Sequence, residues 1–357
     1  MPPSPRRVTL DEVAARAGVS KATASKVLNR RAGTSPETRR RVEGVLREMD
    51  YVPVTRERTV RESGSLVAVF DTLVSLYSLN VLEGLVDAAQ ASDLELVTHV
   101  ARSENAILGL DRSWLQRIVD RGHAGLIIVT TVIDDEFLTA CSEFGIPVVA
   151  VDAPAGGREE LVSIGSDHFR GGLQAVRHLV ELGHRRIAFV GGDPANPGLR
   201  ERLGGYREGL AEAGVTYDPA LVSEAGMATA DQIVPTLLSL DEPPTAIFAT
   251  NDGDAALAVR ALQLAGLAVP EDVSVIGYDD TYSATPAYPA LSTIHTPMQG
   301  IGRLAVEVLS DLAQGIEPIS RRIQLATSLV QRESTCPPPA NKTARRTSGT
   351  RDKLVQR

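Results

Sequence analysis

Between Lys21 and Asn29 the chain reads KATASKVLN, and at about 100° per residue its side chains divide into two arcs. Ala24, Val27 and Leu28 share one arc. Lys21, Ala22, Ser25, Lys26 and Asn29 share the other, a small cationic surface with hydrogen-bonding groups and no bulky apolar side chain. Such a face suits a helix that lies in the major groove of a duplex and offers donors to base edges and phosphates.

That face needs a scaffold, and the flanking residues supply one. Thr9 with Glu12 three residues on forms a capping box for a first helix, whose apolar stripe is Val13, Ala14 and Ala17, and Gly18 makes the turn that follows. Ser20 caps the second helix, Lys21 to about Leu28. Ser35 and Pro36 open a third, in which Val42, Val45, Leu46 and Met49 recur at i, i+3, i+4 and i+7 and brace the other two. The pattern predicts a helix-turn-helix. A bundle with merely solvated charges would show the same periodicity, but the charge partition favours DNA. Residues 1–62 hold fourteen Lys or Arg against eight Asp or Glu, a balance of +6 in a chain whose total is −8.

A chain of 357 residues, 43% of them hydrophobic, exceeds one ordinary domain. With a single Trp, its cores must be aliphatic. It has no run of eighteen apolar residues and no charged-then-apolar leader, which predicts a cytoplasmic protein. The two cysteines, Cys141 and Cys336, do not suggest a disulfide framework. From Cys336 onward six basic residues and one acidic give +5 and predict a disordered tail that adds unspecific DNA affinity; the body between head and tail then carries −19.

From Ser65 the pattern alternates between short β-branched runs (SLVAVF, LELVTHV, GLIIVT, IPVVAVD, then 186–191, 245–249 and 273–277) and helical stretches near 80–91, 106–121, 134–144, 168–182, 200–213, 229–239 and 253–265. Nearly continuous apolar strands separated by helices predict parallel sheets covered on both faces, and two such series predict an α/β core of two doubly wound lobes. Ligands in this architecture lie outside the carboxyl ends of the strands. The polar residues there are Asp71, Tyr77, Asp152, Asn196, Arg202, Asn251, Asp252 and Asp279. Carboxylates that accept hydroxyl donors, beside the planar fork of an arginine, suit a polyhydroxyl ligand. The same residues can also be read as helix caps or a buried ion pair, Arg202 and Asp279 less so than the others and Asp252 above all; Asp167 reads as structural.

Catalytic signatures are missing: there is no G-x-S-x-G elbow and no G-x-x-x-x-G-K-[ST] loop, so neither an enzyme nor a cofactor is expected. The turn Gly191-Gly192-Asp193 is weak evidence for phosphate. His168, His178 and His184 lack zinc spacing and read as solvated or core residues.

VTLDEVAARAGVSKATASKVLN, followed by SPETRRRV and YVP, resembles the DNA-binding head of the lactose/galactose repressor (LacI/GalR) family. DVSVIGYDD, PALSTIHTP and SLVQRESTCPP extend the resemblance to about Pro337. The resemblance implies that Lys21, Ala22 and Lys26 read bases, while Thr23, Ser25 and Asn29 hold phosphates or the helix itself. With Thr9 and Ser20 these make up the implied DNA contacts of the head. A hinge helix would follow and wedge Val60 into the minor groove. Val60 is a short wedge, Glu57 stands where a small residue packs between paired hinges, and Val54 replaces a polar cap, so a weaker operator kink is expected.

The resemblance further implies a periplasmic-binding-protein-like core with chain crossings near 165, 292 and 325. The expected layout is a head at 1–51, a hinge at 52–65, a core at 66–335 and a tail at 336–357. Lobe 1 would hold about 66–164 and 293–324, and lobe 2 about 165–292 and 325–335. Arg202 and Asp279 are the foremost effector ligands on this analogy. Related sugar binders carry an aromatic ring near EAGMATA, yet no aromatic occurs between Tyr217 and Phe248. Either another ring, such as Tyr77 or Tyr278, stacks on the ligand, or the effector is not an ordinary sugar. The helix from Met298 to Leu312, with Ile301, Leu304, Ala305, Val308 and Leu312, is core first. An exposed apolar face elsewhere should form a homodimer, because one head reads only one half of a pseudo-palindromic operator. The expectation is therefore an effector-controlled DNA-binding regulator, a repressor relieved by a sugar. The alternatives are a solute receptor without DNA function and a regulator of a non-sugar metabolite.

Overall fold

A computed structural model describes residues 10–20, 23, 24, 27, 34–49, 64–101, 110–152, 160–192, 196–223 and 229–339, and the chain divides into two compact units, Met1–Glu57 and Arg58–Arg357.

In the first unit, α1 (Leu10–Ala17) and α2 (Pro36–Glu48) flank a helical segment that includes Thr23, Ala24 and Val27. The stripes read from the sequence meet: Val13, Ala14, Ala17, Ala24, Val27, Val42 and Val45 form one buried cluster with Leu46 and Met49 packed against it. Both serine caps form. The Thr23 N–H donates to Ser20 Oγ at 3.1 Å and the Thr38 N–H to Ser35 Oγ at 3.2 Å. Gly18 takes φ +63°, the left-handed turn that ends α1. Arg41 of α2 donates from Nε to the Ala17 carbonyl at 3.1 Å, so α2 also satisfies the end of α1 that the turn leaves open. Of the DNA-facing candidates, Ser20 and Thr23 are among the described residues, and both spend their hydroxyls on the helix start. Thr9, Lys21, Ala22, Ser25, Lys26, Asn29 and Val60 lie outside the described residues, as do Val54 and Glu57.

The second unit is built on two parallel sheets. One runs β10-β5-β4-β3-β1-β2, from β1 (Ser65–Phe70), β2 (Glu95–Val100), β3 (Leu126–Val129), β4 (Val148–Val151), β5 (Val162–Ser166) and β10 (Arg322–Leu325). The other runs β6-β7-β8, from β6 (Ile187–Val190), β7 (Ala246–Ala249) and β8 (Ser274–Ile276), beside an antiparallel pair of β9 (Thr293–His295) and β11 (Ser328–Val330). Helices α3 (Leu76–Ala91), α4 (Arg112–Arg121), α5 (Asp135–Phe144) and α10 (Met298–Ala313) belong with the first sheet. Helices α6 (His168–Glu181), α7 (Pro197–Glu212), α8 (Ala230–Leu238) and α9 (Asp252–Leu264) belong with the second. Each sheet has a core cluster on either face: those of β1, β3 and β4 alternate between two clusters, as do those of β6, β7 and β8. Burying each Val, Leu or Ile contributes roughly 1.5–3 kcal/mol, so these four cores outweigh any single polar interaction at the strand ends. The chain passes between the sheets after β5, after β9 and after β10.

Several expectations need correction. The helix expected from about 106 starts at Arg112, because Asp111 accepts the Trp114 N–H at 2.8 Å and caps it there. The helix expected from 200 starts at Pro197. β5, VSIGS, escaped the reading because its polar alternate residues and Gly165 break the apolar run. The tail does not leave the core at Cys336. Its N–H donates to Ser274 Oγ at 3.0 Å, and its carbonyl lies 2.9 Å from His184 Nε2, so buried polar groups hold the chain at that point. Ile301, Ala305 and Val308 of α10 are buried, with Leu304 and Leu312 packed on the same cluster.

Candidate functional site

Both sheets end in strained polar residues on their carboxyl side. Thr130 after β3, Asp152 after β4, and Asp279 and Asp280 after β8 have φ of +52°, +42°, +97° and +57°, a region that favours glycine. Strain of this kind persists only where the surrounding structure holds it, and it concentrates at functional sites.

Tyr77, Asp152, Arg202 and Asp279 converge there, joined by His168 and Thr250, which the sequence did not place among the candidates, and by Tyr278. Tyr77, in the first turn of α3, donates its hydroxyl to Asp152 Oδ2. Asp152 Oδ1 lies 3.3 Å from His168 Nε2. The Arg202 guanidinium donates to the Thr250 carbonyl at 2.6 Å, approaches Asp279 Oδ1 at 3.5 Å and His168 Nδ1 at 3.3 Å, and lies 3.9 Å from the centroid of the Tyr278 ring. Asp152 and Tyr77 stand on the first sheet's side, whereas Arg202, Tyr278 and Asp279 stand on the second's. Helices α6 and α7, which carry His168 and Arg202, touch backbone to backbone. A Cβ on Gly172 would overlap the Arg202 carbonyl, and one on Gly205 would overlap that of Phe169.

The electrostatics are those of carboxylates sharing few cations. Burial alone would raise Asp152, but His168, Tyr77 and Arg202 together outweigh it and hold the group below the usual carboxylate range. For Asp279 burial wins over the opposing charge of Arg202, and its pKa is raised. Tyr77 is pushed well above the ordinary phenol, first by burial and then by Asp152, so its hydroxyl stays a donor.

The remaining candidates are not in this cluster. Asp71 is exposed and accepts the Thr130 hydroxyl at 2.6 Å. Asn196 caps α7 by accepting the Leu199 N–H at 3.3 Å, and Asn251 caps α9 by accepting the Asp254 N–H at 2.8 Å. Asp252, read as the cap, is buried one position further and accepts from the Thr281 N–H at 2.6 Å and the Thr293 hydroxyl at 2.6 Å. Asp167 caps α6 at 2.9 Å. His178 and His184 are core residues bonded to Thr335 and to Thr245. His168 shared their sequence context; its one distinguishing signal was its place directly after a cap at the end of a strand. A cavity of about 330 Å³ lined by Asp111, Arg112, Asp134, Glu136 and Phe137 shares no residue with the cluster; Asp111 and Asp134 cap α4 and α5, and Arg112 pairs with Glu143 at 2.5 Å.

Residues 9–54 match the family model for bacterial regulatory proteins of the lacI family, and residues 176–335 that for a periplasmic binding protein-like domain. The transcriptional regulator CelR of Thermobifida fusca is 34% identical over 342 residues, which cover 92% of this chain and 98% of that protein. The chain belongs to the LacI family of bacterial regulatory proteins. The HTH-type transcriptional repressor PurR of Haemophilus influenzae is 30% identical to this LacI-family chain, over 91% of it and 98% of that protein. Among solved structures, the CelR–cellobiose complex superposes with a TM-score of 0.68 at 32% identity, covering 92% of this chain and all of that one. The Lac repressor dimer bound to operator and the anti-inducer ONPF superposes with a TM-score of 0.66 at 28% identity, covering 93% and 100%. The chain is thus a transcriptional regulator with a helix-turn-helix head and a periplasmic-binding-protein-like core. Among the described residues no helix is long and apolar enough to cross a membrane.

Proposed function

We propose that this regulator binds an operator through a homodimer of its heads, and that a small polyhydroxyl effector, bound between the carboxyl ends of its two sheets, lowers operator affinity. The observation that carries the reading is the meeting of Tyr77 and Asp152 with Arg202 and Asp279 across the two sheets. A ligand that engages both sides has differential affinity for one arrangement of the lobes, which is what a population shift requires. Cellobiose, the ligand in the CelR complex, is the first probe. Tyr278 is fully buried with the Arg202 guanidinium on its ring, which favours Tyr77 or hydrogen bonding alone over Tyr278 stacking in recognition.

Lys21, Ala22 and Lys26 would read bases, with Thr23, Ser25, Asn29 and Thr9 on phosphates or the helix, Ser20 as its cap, and Val60 as a weak minor-groove wedge. The exposed Val74 (89%), Leu76 and Leu79 around the start of α3 supply apolar surface for the dimer. The decisive experiment selects operator DNA with the purified chain and then titrates the bound duplex with a panel of neutral mono- and disaccharides, cellobiose included. Release by one of them supports the reading; binding to no duplex at low salt overturns it.

A further inference from the structure

His168 is 4% exposed, stands in the first turn of α6, where the chain has just crossed from one sheet to the other, and touches both halves of the site. Its Nε2 faces Asp152 Oδ1 at 3.3 Å, and its Nδ1 faces the Arg202 Nη2 at 3.3 Å, the Arg202 Nε at 3.4 Å and the Tyr278 hydroxyl at 3.4 Å. Arginine only donates, and a carboxylate only accepts. The two sides of the ring therefore have opposite requirements.

We propose that His168 is a positioning residue that locks Arg202 to Asp152 across the site, as a neutral imidazole with its proton on Nε2. The Nδ1 lone pair accepts from the guanidinium, and Nε2–H donates to Asp152. The reverse tautomer would aim N–H at the donors of Arg202 and leave Nε2 a lone pair against a carboxylate. An imidazolium would also aim N–H at the guanidinium. The chain of donors is then continuous: Tyr77 to Asp152 Oδ2, His168 to Asp152 Oδ1, Arg202 to His168, Arg202 to Asp279.

The frame around the ring is tight enough to hold this orientation. A Cβ on Gly198 of α7 would stand 3.0 Å from Nε2, one on Gly165 would overlap Asp152 Oδ1, and one on Gly171 would overlap the Tyr278 hydroxyl. On the reading of this cluster as the effector site, the inference deepens the regulation: a ligand that takes the Arg202 fork competes with the imidazole, and so loosens Asp152 on the other sheet.

The test uses the full-length chain labelled with 15N-histidine and with 15N-arginine, without any ligand, at neutral pH. Long-range 1H–15N spectra resolve the tautomer of each of the six histidines, with His168 assigned by its loss in His168→Gln. The expected pattern is a neutral ring protonated at Nε2 in the native protein, converted toward a mixture of tautomers in Arg202→Met. Solvent exchange of the Arg202 Nε proton should accelerate about tenfold in His168→Leu, the equivalent of one charged hydrogen bond. A ring protonated at Nδ1, an imidazolium, or an Arg202 proton indifferent to His168→Leu overturns the proposal. The tautomer is read in the native protein and His168→Gln serves only to assign its signal; should that variant misfold, His168→Asn supplies the same assignment. Because no sugar is present, a failed effector screen and a wrong tautomer remain separate results.

Discussion

The guanidinium carbon of Arg202 lies 3.9 Å from the centroid of the Tyr278 ring, while one of its nitrogens donates to the Thr250 carbonyl at 2.6 Å and another approaches Asp279 at 3.5 Å. Burial would lower the pKa of Arg202, but Asp279, Tyr278 and Asp152 overcompensate and raise it. The planar group is thus fixed by a face and an edge at once, and only a planar group can use both.

Arg202→Ala should abolish the effector response and leave operator affinity nearly intact, because the residue belongs to the core unit and not to the head. Arg202→Lys should not restore the response: an ammonium keeps the charge but cannot lie on the ring while it serves two acceptors. Fluorescence titration of labelled operator with and without the releasing sugar checks both. A variant that no longer binds operator would remove the division of labour between head and core.

Tyr77→Phe removes one of two donors to a carboxylate and should cost about 1 kcal/mol at neutral pH, read from urea midpoints. The sign of its pH dependence follows from Asp152. A carboxylate whose folded pKa is depressed contributes stability that is present above its unfolded pKa and is lost as pH falls through the folded value. Tyr77 is part of what depresses it, so the gap between variant and native protein should narrow as pH is lowered below 4. A gap that widens in acid contradicts the assignment of donor and acceptor.

Lys26→Ala should weaken operator binding by about 1–3 kcal/mol and relax base preference at one position of each half-site. A selection experiment with the variant separates this from a phosphate contact, whose loss lowers affinity on every sequence alike and shallows the salt dependence.

Much of this molecule was legible in its sequence because the signals were periodic. The stripes of the head, the apolar strands and the Ser20 and Ser35 caps are local patterns, and they met as local patterns do. Asp152, Tyr77, Arg202 and Asp279 were found by position, at strand ends or in the helices that follow. Position alone could not separate them from Asn196 and Asn251, which stand in similar places and cap helices. His168 was passed over because its role depends on Asp152 and Arg202, respectively 16 residues earlier and 34 later, brought together by a chain crossing and by a glycine-lined helix contact that carry no periodic mark.

Asp252 supplies the opposite pH signature from Asp152. It is 1% exposed, and burial raises its pKa to about 6 despite the hydrogen bonds from Thr293 and Thr281 that pull it down. A carboxyl group whose folded pKa lies above its unfolded value contributes stability that is fully present below the unfolded pKa and is lost as pH rises through the folded one. The window is therefore from about 4 to about 6, and the loss is on the order of 3 kcal/mol. Asp252→Asn removes the titration. At pH 4 the native side chain is the neutral acid, which keeps acceptor capacity on both oxygens toward Thr281 and Thr293, whereas the amide nitrogen of the variant only donates; the variant should therefore be less stable than native protein at pH 4, with the deficit shrinking toward pH 7. Urea unfolding of both proteins across that range measures the difference directly. A deficit that stays constant or grows as pH rises would show that Asp252 is not the group that titrates there.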